Sequence, residues 1–245
     1  MDWRLPELDA VYSFEPEMII HLSAMADIDK CQMHPPTAWE VNFLATQRLV
    51  DVAGEIGSRF VYISSDVVFD GSKGDYEETD SPLPVNIYAE TKLAAEETVG
   101  NQLQNYVILR PALFYGKSLQ GRRSFTETML MALREKKHVS VYEDQIRTPL
   151  LVDDLAAACW KLANSGHTGL FHLGGPEKLS RYEMGEIACE LFHLPKNYLK
   201  PVQASRLTSG APRPADCSLN SAKIGNLLEI SPLDFRKGLL KSFAR

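Results

Sequence analysis

Short apolar segments alternate with amphipathic segments along the chain, and this alternation limits the possible folds more than any other feature. The apolar segments are typical of buried strands and comprise Met18–Leu22, Phe60–Ile63, Tyr106–Leu109 and Leu170–Leu173. Strands that alternate with helices predict an α/β protein with a doubly wound parallel sheet, covered by helices on both faces. In such sheets the chemistry lies at the carboxyl ends of the strands, where Ser65 and Arg110 fall.

The segments between these strands are expected to be helices. Apolar residues recur at helical spacing within residues 41–53, 87–99, 125–133, 153–162, 180–192 and 235–243. Gly54 and Gly57 are expected to end the first of these helices. Ser180 and Glu183 form a capping box that starts the fifth. Residues 71–84 predict a loop, and the tail from Pro195 predicts irregular structure before a short final helix.

Composition and charge argue against several function classes. The 245 residues are 44% hydrophobic and 24% charged, as in ordinary globular proteins, and the net charge of −6 argues against a nucleic-acid partner. No apolar run is long enough to span a membrane, and the N-terminus lacks the pattern of a signal peptide. The four cysteines show no metal-type spacing, so we expect reduced thiols, no metal site and a cytoplasmic protein.

Tyr88 and Lys92 are the first residues that indicate chemistry. They are four apart and therefore share one face of the predicted helix, in line with small and apolar residues that favour an inward-facing lysine. Ser65 adds a hydroxyl at the carboxyl end of a strand. Alone, a Tyr-x-x-x-Lys pair is most often a packed tyrosine beside a solvated lysine. The three residues together are far more specific.

These three residue types suit the reduction of a ketone. We assign Tyr88 as the acid/base that protonates the oxygen, and Ser65 as the donor that polarises the carbonyl. Lys92 is expected to lower the tyrosine pKa from about 10 toward working pH and to bind the cofactor ribose. A drop of ~3 units would correspond to roughly 4 kcal/mol.

With these residues, the sequence resembles the extended short-chain dehydrogenase/reductase family, most closely its dTDP-4-dehydrorhamnose reductase branch. The resemblance covers nearly the whole chain. Its matching stretches are Ile19–Ala24, Val41–Asn42, Ile63–Gly71, Tyr88–Lys92, Leu109–Pro111, Asp144–Gln145, Thr148–Pro149, Asp153–Ala156, Ala211–Pro214 and Leu219. The dehydratases of this family carry an Asp-Glu pair after the catalytic hydroxyl. Here Val67 follows Asp66, which favours a reductase, although reductases usually have tyrosine at that position.

The resemblance implies a Rossmann-like NAD(P)-binding domain and a small α/β lobe for a nucleotide-sugar substrate. The NAD(P) domain would comprise residues 1–116 and 150–175, and the lobe residues 117–149 and 176–245. NADPH or NADH would contact Asp2, Ser23, Ala24, Asn42, Ser64, Tyr88, Lys92, Arg110 and Pro111. The substrate would contact Asp66, Val67, Phe69, Arg147 and Arg213. Arg213 is as well explained by a solvated surface arginine as by a phosphate contact.

The chain departs from the family at its N-terminus. Members begin with a strand, a Gly-x-x-Gly-x-x-Gly run and a helix, which hold the cofactor pyrophosphate, and this sequence contains no such run. We therefore expect an N-terminally truncated sheet that lacks roughly 50 to 60 residues. The strand at residues 18–22 would then be an apolar edge, covered by a partner or in a homodimer. An internal start, a natural short form and a separately supplied N-terminal half all remain open.

Two other functions compete with the reductase. The first is a non-catalytic binding or regulatory protein on the same fold, like the regulatory β-subunit of methionine adenosyltransferase, which the missing glycine run favours. The second is a nucleotide-sugar epimerase, which would share Ser65, Tyr88 and Lys92 but fits the segment Val67–Gly71 less well.

Overall fold

The structure, a computed structural model, describes residues 8–119, 123–206 and 210–244. Within these residues the helices α1 to α10 are, in order, Leu8–Phe14, Ile28–Met33, Pro35–Ala38, Ala45–Ile56, Ile87–Gln102, Phe125–Arg134, Val152–Ala163, Arg181–Leu191, Ala222–Leu228 and Phe235–Phe243. The strands β1 to β10 are Met18–His21, Arg59–Ile63, Tyr106–Pro111, Phe114–Tyr115, Val139–Tyr142, Ile146–Arg147, Leu150–Leu151, Gly169–Leu173, Leu179–Ser180 and Leu199–Val202. A π-helical segment, Trp39–Leu44, joins α3 to α4, and Asp66–Val68 form a 3₁₀ helix.

A four-stranded parallel sheet in the order β1-β2-β3-β8 organises the fold. Successive side chains of a strand point to opposite faces. Val61 of β2 therefore packs with residues of α7 and α9 on one face, while its neighbours Phe60 and Tyr62 pack with α4 and α5 on the other. The predicted α/β class with a helix-covered parallel sheet is confirmed.

A second core lies where α6, α8 and α10 meet the short strands outside the main sheet. Its buried members include Tyr115, Met129, Met184, Leu199 and Phe235. In this region β5 pairs with β10 in parallel, and β6 pairs with β9 antiparallel. The division of the chain into a cofactor domain and a substrate lobe stays a prediction. Helix α9 falls within the predicted lobe, yet it packs on the main sheet.

The structure corrects several predicted boundaries. Helix α4 continues through Gly54 and ends at Gly57, whose positive φ of 70° is one that glycine adopts without steric cost. The tail from Pro195, expected to be irregular, contains β10 and α9. Within the described residues β1 pairs only with β2, so it is an edge strand there, and its first three residues are half-buried.

Candidate active site

The end of β2 places the first candidate residue. The Ser64 amide still donates to the Leu109 carbonyl of β3, at 2.8 Å, so Ser65 is the first residue beyond the sheet ladder. Ser65 is the N-cap of the 3₁₀ helix. Its hydroxyl accepts from the Val67 amide at 3.4 Å and donates to Asp66 Oδ1 at 3.1 Å. Tyr88 lies close enough for the Ser65 hydroxyl to lower the pKa of its phenol, so the predicted Ser65–Tyr88 pair is brought together.

Helix α5 supplies Tyr88 and Lys92. The Asn86 side chain caps this helix by accepting from the Ala89 amide at 3.0 Å, which puts Tyr88 in the first turn. Tyr88 is 9% exposed and Lys92 is 2% exposed, so the predicted inward orientation of the lysine is confirmed. Lys92 Nζ donates to the Ile63 carbonyl at 2.7 Å and lies 4.1 Å from the centre of the Tyr62 ring. All three catalytic candidates therefore meet at the end of β2.

The protonation states differ from the sequence expectation. Burial raises the pKa of Tyr88 well above its ordinary value, the nearby Ser65 hydroxyl opposes the rise, and the Asp66 carboxylate adds to it. Burial also lowers the pKa of Lys92 from 10.5 to about 7, against the attraction of Glu96. The expected lowering of the tyrosine pKa is not found in this arrangement, because desolvation is the largest effect on the phenol. The tuning of Tyr88 by Lys92 stays a prediction.

Asn42 fixes the wall beside α5. Its Oδ1 accepts from the Met25 amide at 2.7 Å, and its Nδ2 donates to Thr91 Oγ1 at 3.0 Å. The loop that carries the half-buried Ser23 and Ala24 is therefore held against α5. Asn42 lies in the π-helical segment, a rare local structure that is frequent at functional sites.

Arg110 and Pro111 lie at the end of β3 and are buried. The Arg110 guanidinium forms a bidentate ion pair with Glu96, with the closest contact at 2.6 Å, and lies 3.3 Å from His172 Nε2. Because Glu96 lies on α5 and Arg110 lies on β3, this ion pair holds the helix against the strand. Cofactor contacts by Arg110 and Pro111 stay predictions, and Asp2 lies outside the described residues.

Of the predicted substrate residues, Phe69 and Val67 lie in apolar packing, and Asp66 and Arg147 form a buried ion pair. Phe69 is fully buried and stacks on Tyr76 with ring centres 4.0 Å apart, and Val67 packs beside Tyr88. The buried Asp66 carboxylate is paired with Arg147, whose Nε lies 3.3 Å from Asp66 Oδ2. Substrate contacts by these four residues stay predictions.

Arg213 is not the solvated surface arginine that the sequence allowed, because it is held by neighbouring groups. Its guanidinium pairs with Asp29 of α2 at 2.8 Å and donates to the Ala211 carbonyl at 3.0 Å. This pair ties the C-terminal segment to the helix that precedes the site. The side chain is neither fully solvated nor free of a carboxylate, and a phosphate contact by Arg213 stays a prediction.

Arg181 is a residue that the sequence did not single out. Its Nε and Nη1 are buried and have no hydrogen-bond partner among the described residues, and its guanidinium lies 4.7 Å from the centre of the Phe125 ring. Burial lowers its pKa to about 9. The nearby guanidinium of Arg147 adds to this effect, and the Asp66 carboxylate opposes it. The only sequence signal was the capping box, which starts α8 with Arg181 as its first residue.

The described residues contain no group of three histidine, cysteine or acidic side chains that would hold a metal ion. The four cysteines are free and buried. In the described part of the chain, every helix is too short or too polar to cross a lipid bilayer.

The sequence is similar to proteins of two kinds, a methionine adenosyltransferase subunit and a sugar-nucleotide reductase. The chain is 32% identical over 238 residues to methionine adenosyltransferase 2 subunit beta of Bos taurus, covering 95% of this chain and 71% of the relative. It is 29% identical over 253 residues to dTDP-4-dehydrorhamnose reductase of Escherichia coli K12, covering 97% of this chain and 83% of the enzyme.

A solved structure shares the fold closely. The dTDP-4-dehydrorhamnose reductase of Bacillus anthracis, crystallised in complex with NADP, superposes with a TM-score of 0.91 at 26% identity, covering 99% of this chain and 86% of that one. Residues 7–245 match the family described as RmlD substrate binding domain. The chain belongs to the RmlD substrate-binding domain family.

Proposed function

We propose that this protein is an NAD(P)H-dependent reductase of a nucleotide-linked 4-keto-deoxysugar, of the short-chain dehydrogenase/reductase type. The observation that carries the proposal is that the Ser65 hydroxyl and the Tyr88 phenol meet beyond the end of β2, with the buried Lys92 one helical turn from Tyr88. A binding protein gains nothing from burying an ammonium without a directly bonded carboxylate, because the burial costs stability. The relatives named as reductases support the substrate class.

The residues at the end of β2 fit the nicotinamide end of the cofactor. An ammonium has three N–H donors, and one donor of Lys92 is bonded to the Ile63 carbonyl, which leaves capacity for ribose hydroxyls. Ser64 Oγ is a buried hydroxyl with no partner in the described structure. The loop with Ser23 and Ala24, held by Asn42, would complete this end. No described residue is assigned to the pyrophosphate, since the sequence has no Gly-x-x-Gly-x-x-Gly run.

When bound, the reduced nicotinamide supplies the hydride for the carbonyl carbon. The Ser65 hydroxyl donates to the carbonyl oxygen and stabilises its negative charge as it develops. The Tyr88 phenol then gives its proton to that oxygen, which completes the alcohol. The raised pKa keeps the phenol protonated before the reaction, and the transfer proceeds because an alkoxide is the stronger base. Lys92 stabilises the phenolate left behind, which is reprotonated from solvent.

Replacing Tyr88 by phenylalanine tests this function. NADPH and NADH oxidation would be followed with a dTDP-4-keto-6-deoxyhexose, and product would be identified by mass. We expect Tyr88→Phe to reduce kcat at least 100-fold, the typical contribution of a general acid. Tyr106→Phe, at the amino end of β3, should retain activity. Full activity of Tyr88→Phe would refute the assignment.

A second function is favoured by one observation, the 32% identity to a methionine adenosyltransferase subunit. On this alternative the chain is a non-catalytic regulatory protein. It would co-purify with a methionine adenosyltransferase catalytic subunit and oxidise neither nicotinamide cofactor. Tyr88→Phe would leave that association intact, so the same variant separates the two functions.

Two further parts of the proposal concern the setting of the enzyme. Four free, buried cysteines favour a reducing compartment, and we place the protein in the cytoplasm. Among the residues that the structure describes, β1 has no neighbour on its outer edge, which favours coverage by a second copy or a partner, because an exposed edge offers unsatisfied backbone groups.

A further inference from the structure

A buried aromatic ring lies against the ammonium of the candidate active site. Lys92 Nζ lies 4.1 Å from the centre of the Tyr62 ring, the shortest cation–ring distance among the described residues. Tyr62 is completely buried and Lys92 nearly so. A cation over a ring face is stabilised most strongly in such a desolvated setting, because little water competes for it.

Strand β2 supplies two groups that contact the ammonium. The Tyr62 side chain points to the sheet face that packs on α4 and α5, and the next residue, Ile63, offers its backbone carbonyl to Nζ at 2.7 Å. Helix α5 brings Lys92 to these groups. The ammonium is therefore held by a ring face and a carbonyl, which leave its positive charge unneutralised.

The hydroxyl of Tyr62 does not explain why an aromatic residue lies here. This hydroxyl is buried and has no hydrogen-bond partner among the described residues. Burial raises the pKa of Tyr62 well above its ordinary value, so the phenol stays neutral. A buried hydroxyl without a partner costs stability. The ring is thus the part of Tyr62 that the site uses.

A series of contacts holds the Tyr62 ring in place. His21, its neighbour on β1, stacks on it with ring centres 5.8 Å apart and planes inclined by 26°. Thr46 Oγ1 donates its only proton to the Asn42 carbonyl at 2.7 Å, so it accepts from His21 Nε2 at 2.9 Å. The imidazole is fixed in this way, and it supports the tyrosine ring.

The carboxylates near the site are engaged by other cations. Glu96, one turn further along α5, attracts the Lys92 ammonium, but its oxygens form a bidentate pair with Arg110 of β3. Asp66 of the 3₁₀ helix is paired with Arg147 of β6. Neither carboxylate contacts Nζ directly, so the ring face carries much of the stabilisation of the ammonium.

The other titratable groups around Lys92 are neutral where it titrates, near pH 7. Burial lowers the pKa of His21 from 6.5 to about 4, and the ammonium adds to this effect. Burial raises the pKa of the Tyr88 phenol, and it raises that of the Cys31 thiol on α2 to about 11. These groups therefore do not change charge while Lys92 does.

We infer that Tyr62 is a positioning residue for Lys92, whose ring face stabilises the ammonium and holds Nζ at the end of β2. The inference rests on the proposed function, in which Lys92 stabilises the Tyr88 phenolate, and it adds a residue that acts only through the lysine. A carboxylate partner would cancel the charge of Lys92. The uncharged ring retains that charge for the phenolate.

A pH titration of the Lys92 signal tests the inference in the chain without cofactor. Lysine is isotope-labelled, the titration is followed by NMR, and Lys92→Met identifies the signal by its loss. We expect Tyr62→Leu to lower the Lys92 pKa by about one pH unit, the usual strength of a desolvated cation–ring contact. Tyr62→Phe keeps the ring and should leave the pKa unchanged. Phe60→Leu removes a buried ring from the same face of β2 and should also leave it unchanged.

Fluorinated phenylalanines in place of Tyr62 separate the charge distribution of the ring from its shape. Fluorine withdraws electron density from the ring face and weakens its attraction for a cation, with little change in size. We expect the Lys92 pKa to fall stepwise from Tyr62→Phe to its monofluoro and trifluoro forms. This series creates no cavity, so it decides the question even where Tyr62→Leu does not fold.

Three outcomes would overturn the inference: a Lys92 pKa that Tyr62→Leu leaves unchanged or raises, an equal decrease in Phe60→Leu, or a pKa that does not respond to fluorination. In the enzyme assay, the upper pH limit of kcat for Tyr62→Leu should move down by the same amount with KM unchanged, because Tyr62 contacts no ligand. The proposed function fails separately. A chain whose Lys92 pKa follows the ring charge but which reduces no keto sugar would keep this inference and lose the reductase.

Discussion

Replacing Lys92 by methionine tests whether the active-site ammonium is held at a cost in stability. Burial lowers the Lys92 pKa from 10.5 to about 7. Below pH 7 the lysine is protonated in both the folded and the unfolded chain, and the whole penalty is present. Above 10.5 it is neutral in both, and the penalty is gone. Between these values the unfolded chain binds more protons, so this group's contribution to stability improves as pH rises.

The magnitude follows from the same values. The difference between 10.5 and about 7 corresponds to roughly 4–5 kcal/mol at low pH. Linkage reduces the penalty by about 3 kcal/mol between pH 6 and pH 9.5. Methionine has a similar length and no charge, so the variant lacks this pH dependence. The variant also loses the hydrogen bond to Ile63 and the contact with Tyr62, which lowers its free energy of unfolding by an amount that changes little with pH.

The assay is guanidinium unfolding, followed by circular dichroism, of both proteins at pH 6 and pH 9.5. We expect the stability of Lys92→Met relative to wild type to fall by about 3 kcal/mol between the two pH values. Lys200→Met is the control, because it makes the same substitution at an exposed lysine of β10, and its stability relative to wild type should change little between the two pH values. A Lys92→Met difference that stays within ~0.5 kcal/mol across the window would refute the reasoning, because a buried ammonium that titrates near 7 cannot give it.

Two further stability predictions rest on packing and charge. Gly238→Ala should destabilise the protein by about 1–3 kcal/mol, because an added Cβ would collide with the Tyr115 hydroxyl. Gly100→Ala in α5 should stabilise it by about 0.5–1 kcal/mol, because the added Cβ makes only an ordinary contact. Thermal melting measures both effects. Glu96→Leu should cost about 3–5 kcal/mol in chemical unfolding, because it leaves the buried Arg110 guanidinium without its counterion. Adding Arg110→Met to Glu96→Leu should recover much of that loss, and a double variant less stable than the single one would contradict the assignment.

Local sequence patterns were sufficient to predict the parts of the site that lie on one element or at its end. Tyr88 and Lys92 share a helix face because they are four residues apart, and the capping box at Ser180 starts α8 as expected. Ser65 could be placed because a run of apolar residues ends just before it. In each case a periodicity of a few residues determines the position, so no long-range contact has to be known.

The rest of the site depends on pairings that no local pattern contains. Arg181 lies beside Gln145 because two two-residue strands pair across more than thirty residues of sequence. Arg213 reaches Asp29 from 184 residues away. The direction of the Tyr88 pKa was missed for a related reason. Charge proximity can be guessed from a four-residue spacing, but desolvation depends on everything that covers the phenol.

The end of β2 connects the functions proposed for this chain. The Ile63 carbonyl holds the Lys92 ammonium, the Ser65 hydroxyl lies beside the Tyr88 phenol, and the Asp66 carboxylate pairs with Arg147. Ile63 is the last ladder position of β2, and Ser65 and Asp66 follow shortly after it, where side chains are first released from sheet pairing. A shift of β2 by one residue would invert its faces and displace all three contacts together. A disturbance of this strand is therefore expected to abolish catalysis even where Ser65, Tyr88 and Lys92 are all retained, because their relative positions depend on its register.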